Sequence, residues 1–170
     1  MKDLITIGLP SKGRLKEKSI SIFSDRGLKI IQSEKERNYF GTIENKPNVK
    51  IIFLHAKEII QRLGDGTLDL GISGLDLLKE SDKKLQGKII IQRKLDFGNA
   101  NLVIAVPDDW IDVQTIADLE EISFDIRLKR NTRLRVATKY PNLTNDFLIS
   151  KALLNTGLFP VLEPRKLTPL

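Results

Sequence analysis

The chain contains no cysteine, a single histidine and a single tryptophan among its 170 residues. Without cysteine there is no disulfide framework, no thiolate metal site and no cysteine nucleophile. That absence points to a reducing compartment and predicts a cytoplasmic protein. No apolar run approaches the roughly 20 residues needed to span a bilayer. The amino-terminal residues pass from Lys2 and Asp3 straight into the alternating run Leu4 to Leu9, without a stretch of signal-peptide character. Membrane insertion and secretion are therefore not expected.

What is present suits a folded domain or two small lobes. Hydrophobic residues make up 41% and charged residues 29%, close to ordinary globular usage. The net charge is +6, with Arg127, Lys129, Arg130, Arg133, Arg135 and Lys139 supplying much of it. A cationic surface favours anionic partners. No helix-turn-helix, zinc finger or aromatic-studded basic strand accompanies these charges, so a solvated face is the simpler reading and nucleic acid is not an expected partner.

Ile5, Ile7 and Leu9 alternate as in a strand, which Pro10 closes. A helix follows from Arg14, and Gly27 stands where a left-handed terminating residue would. The pattern recurs, with strands at Val49 to Leu54 and Leu68 to Ile72 and helices at Ala56 to Leu63 and Leu75 to Glu80. Further strands are predicted at Lys88 to Leu95, Leu102 to Val106 and Leu134 to Thr138. Helices are predicted near Thr115 to Leu119 and from Leu143 to Asn155, the latter with Leu143, Phe147 and Leu154 on one face. Such alternation predicts the α/β class, with a largely parallel sheet. Gly98 and Asn99 mark a hinge, giving a first lobe of residues 1–97 and a second of residues 98–170.

Three strand-to-helix loops carry polar chemistry. Ser11-Lys12-Gly13-Arg14 combines a helix start, a glycine that admits close approach and two cations, which together suit a phosphate; a plain turn with two solvated cations is the competing reading. Asp69 to Asp76 places Gly71 and Gly74 where a ligand could approach the backbone, Ser73 as a phosphate donor or helix cap, and Asp76 in the first helical turn, and also reads as a well-capped turn. Thr138, Lys139, Tyr140 and Asn142 gather around Pro141, which presets a helix start. All three would lie at the carboxyl edge of a sheet, where α/β proteins bind ligands, and a shared cleft follows.

The ordered set Leu9 to Arg14, Arg37 to Gly41, Asp69 to Asp76, Asp96 to Gly98 with Leu102 to Pro107, and Ala137 to Leu143 resembles the ATP phosphoribosyltransferase family, in its short form. The resemblance covers roughly the first 150 residues. It implies two α/β lobes similar to the type II periplasmic-binding-protein architecture and a homodimer with substrates between the lobes. It also implies magnesium carried with the substrate phosphates, and a regulatory subunit resembling histidyl-tRNA synthetase. The implied reaction is the first step of histidine biosynthesis, in which N1 of ATP attacks C1 of phosphoribosyl pyrophosphate (PRPP) and pyrophosphate leaves, with no covalent nucleophile. Ser11, Lys12, Gly13 and Arg14 would face phosphate; Asp69, Gly71, Ser73, Gly74 and Asp76 would line the nucleotide and ribose; Thr138, Lys139, Tyr140 and Asn142 would complete the site.

Two departures from the family pattern stand out. His55 follows Phe53-Leu54 where many relatives carry Arg, and a strand-end polar role is expected for it rather than acid or base work. The family's acidic, Thr-Gly-x-Thr loop for the PRPP 5-phosphate has no counterpart, since Thr156-Gly157 is followed by Leu158 and reads as a helix end. The second lobe is therefore expected to be incomplete and the chain to be slow or inactive. The alternative is a non-catalytic small-molecule-binding module of the same architecture.

Overall fold

The computed structural model describes residues 4–32 and 39–151. The chain divides into two compact units, residues 1–100 and 101–170. The first holds a five-stranded sheet in which β1 (Ile5–Pro10) is flanked by β4 (Lys46–Leu54) and β5 (Leu70–Gly71). Both neighbours run parallel to β1, with Ile7 opposite Ile51 and Leu70. On the far side of β4 lie β3 (Phe40–Ile43) and β2 (Ile30–Gln32), each antiparallel to its neighbour. The sheet is therefore mixed, not largely parallel. The reason is local: Asn45 accepts a left-handed φ of 61° and folds β3 back onto β4 through a tight turn. Neither β2 nor β3 was expected from the sequence.

The alternation in β1 does what a period of two dictates. Ile7 and Leu9 face one way into a core with Ile43, Ile51 and Phe53, closed by Ile20 and Phe23 of helix α1 (Gly13–Ser24). Gly27 ends α1 as anticipated, with φ 70°. The amides of Gly27 and Leu28 donate back to Ser24 and Phe23 at 2.8 and 2.9 Å, the paired bonds of a Schellman motif.

The opposite face of the sheet is built around helix α2 (Ala56–Gly64), which seats Ile59, fully buried, on two glycines. Gly8 of β1 and Gly71 of β5 are register partners. A Cβ on Gly8 would meet Leu68 Cδ1 at 2.6 Å, and one on Gly71 would meet Ile59 Cγ2 at 2.6 Å and Leu63 Cδ1 at 3.1 Å. These glycines exist to let a helix lie close to a sheet. Helices α3 (Leu75–Glu80) and α4 (Lys83–Gln86) complete the unit.

In the second unit the described residues form α5 (Ile116–Arg130) and α6 (Pro141–Ser150). Helix α5 runs well past the expected Leu119. Thr115 and Asp118 form a reciprocal capping box at its start, and Asn131 ends it with φ 48°. The hydroxyl and amide of Thr115 and the amide of Gln114 hold the exposed Asp118 carboxyl below its usual 3.8. In α6 the buried positions are Thr144 and Leu148, and Phe147 is half exposed, so the inward face is not the expected Leu143–Phe147 stripe. Leu154 lies outside the described residues.

The strands expected at Lys88 to Leu95, Leu102 to Val106 and Leu134 to Thr138 do not form among the described residues. Composition supplies β propensity, but a strand exists only through ladder bonds to a neighbour. These segments pair with none of the described strands, although β2 and β5 each end the sheet on an open edge, and Ile90, Leu102 and Val103 stand exposed.

Candidate functional site

Because β4, β1 and β5 are parallel neighbours, their carboxyl ends share one edge of the sheet. The Ser11 amide donates to the Leu54 carbonyl at 2.9 Å, and the Ile72 amide donates to the Gly8 carbonyl at 3.0 Å. The loop after β1 is thereby stitched between the loops after β4 and β5. Ser11 to Arg14 lead into α1, His55 into α2 and Ile72 to Gly74 into α3.

The starts of these helices share a property. The N-cap residues Lys12, His55 and Gly74 make no side-chain capping bond, and the same is true of Tyr140 before α6. By contrast α4 and α5 are capped by Asp82 and Thr115. Among the described helices, the uncapped starts are the ones at the three polar loops and at His55. Helix α1 is the most electropositive of them, with no acid in its first turn and Arg14 placed there instead. A cation at that end opposes the helix dipole, and an anionic ligand relieves both.

Lys12, Gly13 and Arg14 are exposed. Gly13 adopts φ 71°, and nothing lies within 4 Å of where its Cβ would stand. Its backbone conformation requires glycine, and the space above it is open to a ligand. Lys16, one turn on, covers the Phe53 ring at 4.9 Å and belongs to the core's rim.

The Asp69 to Asp76 stretch divides into structural and open positions. The space where a Gly71 side chain would stand is filled by Ile59, so packing alone accounts for a glycine there. Asp69 accepts from the Thr6 amide at 2.8 Å, beside the start of β1 and away from the carboxyl edge. Ser73 donates its hydroxyl to the Ala56 carbonyl at 2.8 Å, tying the α3 loop to α2, and the N-cap of α3 is Gly74. Asp76 folds over Gly74, where a Cβ would meet its Oδ1 at 2.2 Å. Gly74 and Asp76 thus face the shared edge, with Ser73 bracing them.

The third group lies in the second unit. Thr138 Oγ1 accepts from the Tyr140 amide at 3.0 Å and sits 3.0 Å from Thr144 Oγ1, which donates to the Tyr140 carbonyl at 2.7 Å. These bonds shape the entry to α6, with Pro141 in its first turn as expected. Lys139 and Asn142 are exposed. Thr144, 7% exposed, was not singled out in the sequence; its signal is a threonine one turn into a helix that starts at a polar loop.

Among the described residues no three acidic or histidine side chains gather as a metal site. A separate depression of about 310 Å³ lies on the sheet face between Ile31, Phe40, Pro47 and Lys50, away from these loops.

An α/β unit whose parallel strands deliver adjacent helix starts to one edge, one of them cationic, has the arrangement at which α/β proteins commonly bind phosphorylated ligands. Residues 55–159 match the family described as HisG: ATP phosphoribosyltransferase. The chain is 42% identical over 147 residues to the ATP phosphoribosyltransferases of Brucella melitensis biotype 2 and Brucella anthropi, covering 86% of its own length and 64% of theirs. It thus spans about two thirds of the length of these relatives. Its fold is similar to that of the ATP phosphoribosyl transferase (HisG:HisZ) complex from Thermotoga maritima, with TM-score 0.52 and 19% identity over 88% of this chain and 60% of that one. The chain belongs to the ATP phosphoribosyltransferase family and has the α/β, periplasmic-binding-protein-like type II fold of that family.

Proposed function

We propose that the chain contributes to ATP phosphoribosyl transfer, the opening step of histidine biosynthesis, with the loop Ser11 to Arg14 holding substrate phosphate. In the reaction N1 of the adenine forms a bond to C1 of PRPP while the C1–O bond breaks and its electron pair leaves with pyrophosphate. Charge develops on both the ribose and the leaving group, so the protein's part is orientation and electrostatic complement. The observation that supports this reading is the cationic, uncapped and open start of α1 at the shared strand edge. Lys12, Arg14 and the first amides of α1 would take the phosphate. Gly74 and Asp76 would face the nucleotide or ribose, and the family resemblance adds Thr138, Lys139, Tyr140 and Asn142 as further candidates for substrate contact.

Magnesium fits this reading as a companion of the substrate polyphosphates. The relative solved as a HisG:HisZ complex supports a regulatory partner resembling histidyl-tRNA synthetase, and a homodimer is what the family resemblance implies. A cytoplasmic biosynthetic role accords with the cysteine-free sequence, and no described helix is long and apolar enough to cross a membrane.

Arg14→Ala tests the role of the loop. Arg14 is exposed, so its removal leaves the fold intact. Loss of a charge-assisted bond weakens ATP or pyrophosphate binding about tenfold or more. Calorimetry showing equal affinity for the parent and the variant would remove Arg14 from the site.

A further inference from the structure

Helix α2 begins at a residue poorly suited to begin it. Its N-cap is His55, whose side chain makes no capping bond, where serine, threonine, aspartate or asparagine would accept from the orphan amides of the first turn. In α4 and α5 the same requirement is met by Asp82 and Thr115. The histidine is exposed, and among the described residues its ring takes no hydrogen bond or ion pair. The acid in the first turn of α2, Glu58, is committed to Arg62 at 2.7 Å and does not pair with the ring.

What His55 does have is a position. Pro10 and Leu54 are register partners, and the Ser11 amide donates to the Leu54 carbonyl at 2.9 Å. His55 therefore follows β4 about one strand spacing, roughly 5 Å, from where Ser11 follows β1. Its extended backbone continues β4, and the period of two sets it on the side of Phe53, which α1 covers, while Leu54 packs with Ile59 of α2 on the other side. Lys16 of α1 already reaches the Phe53 ring from that side, at 4.9 Å. The imidazole is thus carried to the face on which α1 opens with Lys12, Arg14 and Lys16.

We propose that His55 is a further substrate-contacting residue of the site at the start of α1, its imidazole donating an N–H to the phosphate that Lys12 and Arg14 hold. The proposal rests on the reading of that loop as a phosphate site and extends the site to a second strand. An imidazole carries at least one N–H donor in either protonation state, whereas the carboxylate that would cap α2 well would repel a phosphate. Binding and stability therefore oppose one another at this position. That opposition separates a ligand contact from a purely structural role.

The experiment is calorimetric titration of the full 170-residue chain with pyrophosphate, paired with thermal unfolding of each variant without ligand. His55→Ala is expected to weaken binding about tenfold and to leave Tm within about 2 °C. His55→Arg keeps a donor at the position and is expected to bind within about threefold of the parent. His55→Asp is expected to lose more affinity than the alanine variant while its Tm rises by about 3 °C, because aspartate caps α2. If the alanine and aspartate variants bind pyrophosphate as tightly as the parent while Arg14→Ala binds it less tightly, the assignment of His55 is overturned and the phosphate site stands. A parent chain without affinity for pyrophosphate overturns both. Weakened binding in His55→Ala accompanied by a fall in Tm of more than about 5 °C would return the residue to the fold and likewise overturn the assignment.

Discussion

A polypeptide of these 170 residues, mixed with ATP, PRPP and magnesium, is expected to release pyrophosphate on the order of a thousandfold more slowly than a chain extended to the full length of its relatives. The proposal rests on a difference of sequence. The strand-edge loops at Ser11 to Arg14 and at Gly74 to Asp76 are in place, but no acidic Thr-Gly-x-Thr run for the 5-phosphate occurs in these 170 residues. A phosphate dianion is fixed in orientation only by several preorganised donors, and that orientation turns a two-substrate encounter into an effectively unimolecular step. Loss of one such donor typically costs a hundredfold to a thousandfold in rate, and a whole cradle supplies several. A coupled pyrophosphate assay on both chains provides the check. Comparable rates would mean that residues within 152–170, among them Arg165 and Lys166, hold the 5-phosphate instead. Retained ATP binding without turnover would favour the alternative, a binding module of the same architecture.

Gly71→Val is expected to lower stability by about 3 kcal/mol, because a branched side chain would be driven into Ile59 and Leu63. Ile59 has no free space to give, being fully buried against Leu54 and Leu68. For a chain of this length the loss corresponds to a fall of about 10 °C in Tm. Gly8→Val should behave alike, since its Cβ would meet Leu68 at 2.6 Å. Denaturant titration distinguishes this packing role from the ligand-approach role that the sequence suggests. A Gly71→Val protein of parental stability that no longer binds ATP would show that the glycine serves the ligand after all.

Gly71 also illustrates what the sequence could disclose. Its place in Asp69 to Asp76 is legible, because strands, turns and helix starts are written in local periods and in glycine and proline. On that basis β1, β4, α2 and α3 and the left-handed Gly27 could be read directly. What each polar residue then touches depends on partners distant in sequence. Asp69 closes the ladder at Thr6, 63 positions away, and Ser73 bonds Ala56, 17 positions away. No local pattern in the sequence encodes either bond.

The same limit explains the segments with strand propensity that form no strand. Lys88 to Leu95 and Leu134 to Thr138 have apolar β-branched or alternating residues, but they pair with no described strand, and propensity without a ladder makes no strand. The β3–β4 hairpin shows the converse. Strand β3 is short, and the signal reduces to Asn45 between Ile43 and Lys46, a left-handed turn residue easily passed over. The length of α5 was written in Thr115, Asp118 and Asn131, which bracket it more sharply than its apolar spacing does.

Substrate phosphate is proposed to bind at the shared carboxyl edge of β4, β1 and β5. Amide chemical-shift mapping of the isotope-labelled 170-residue chain, during titration with ATP and then with pyrophosphate, tests this. The largest shifts are expected on Gly13, Arg14 and Leu15, with smaller ones at His55 to Lys57 and Ser73 to Asp76, which start the adjacent helices. Shifts confined to the sheet face around Ile31, Phe40 and Lys50, with the start of α1 unmoved, would contradict it.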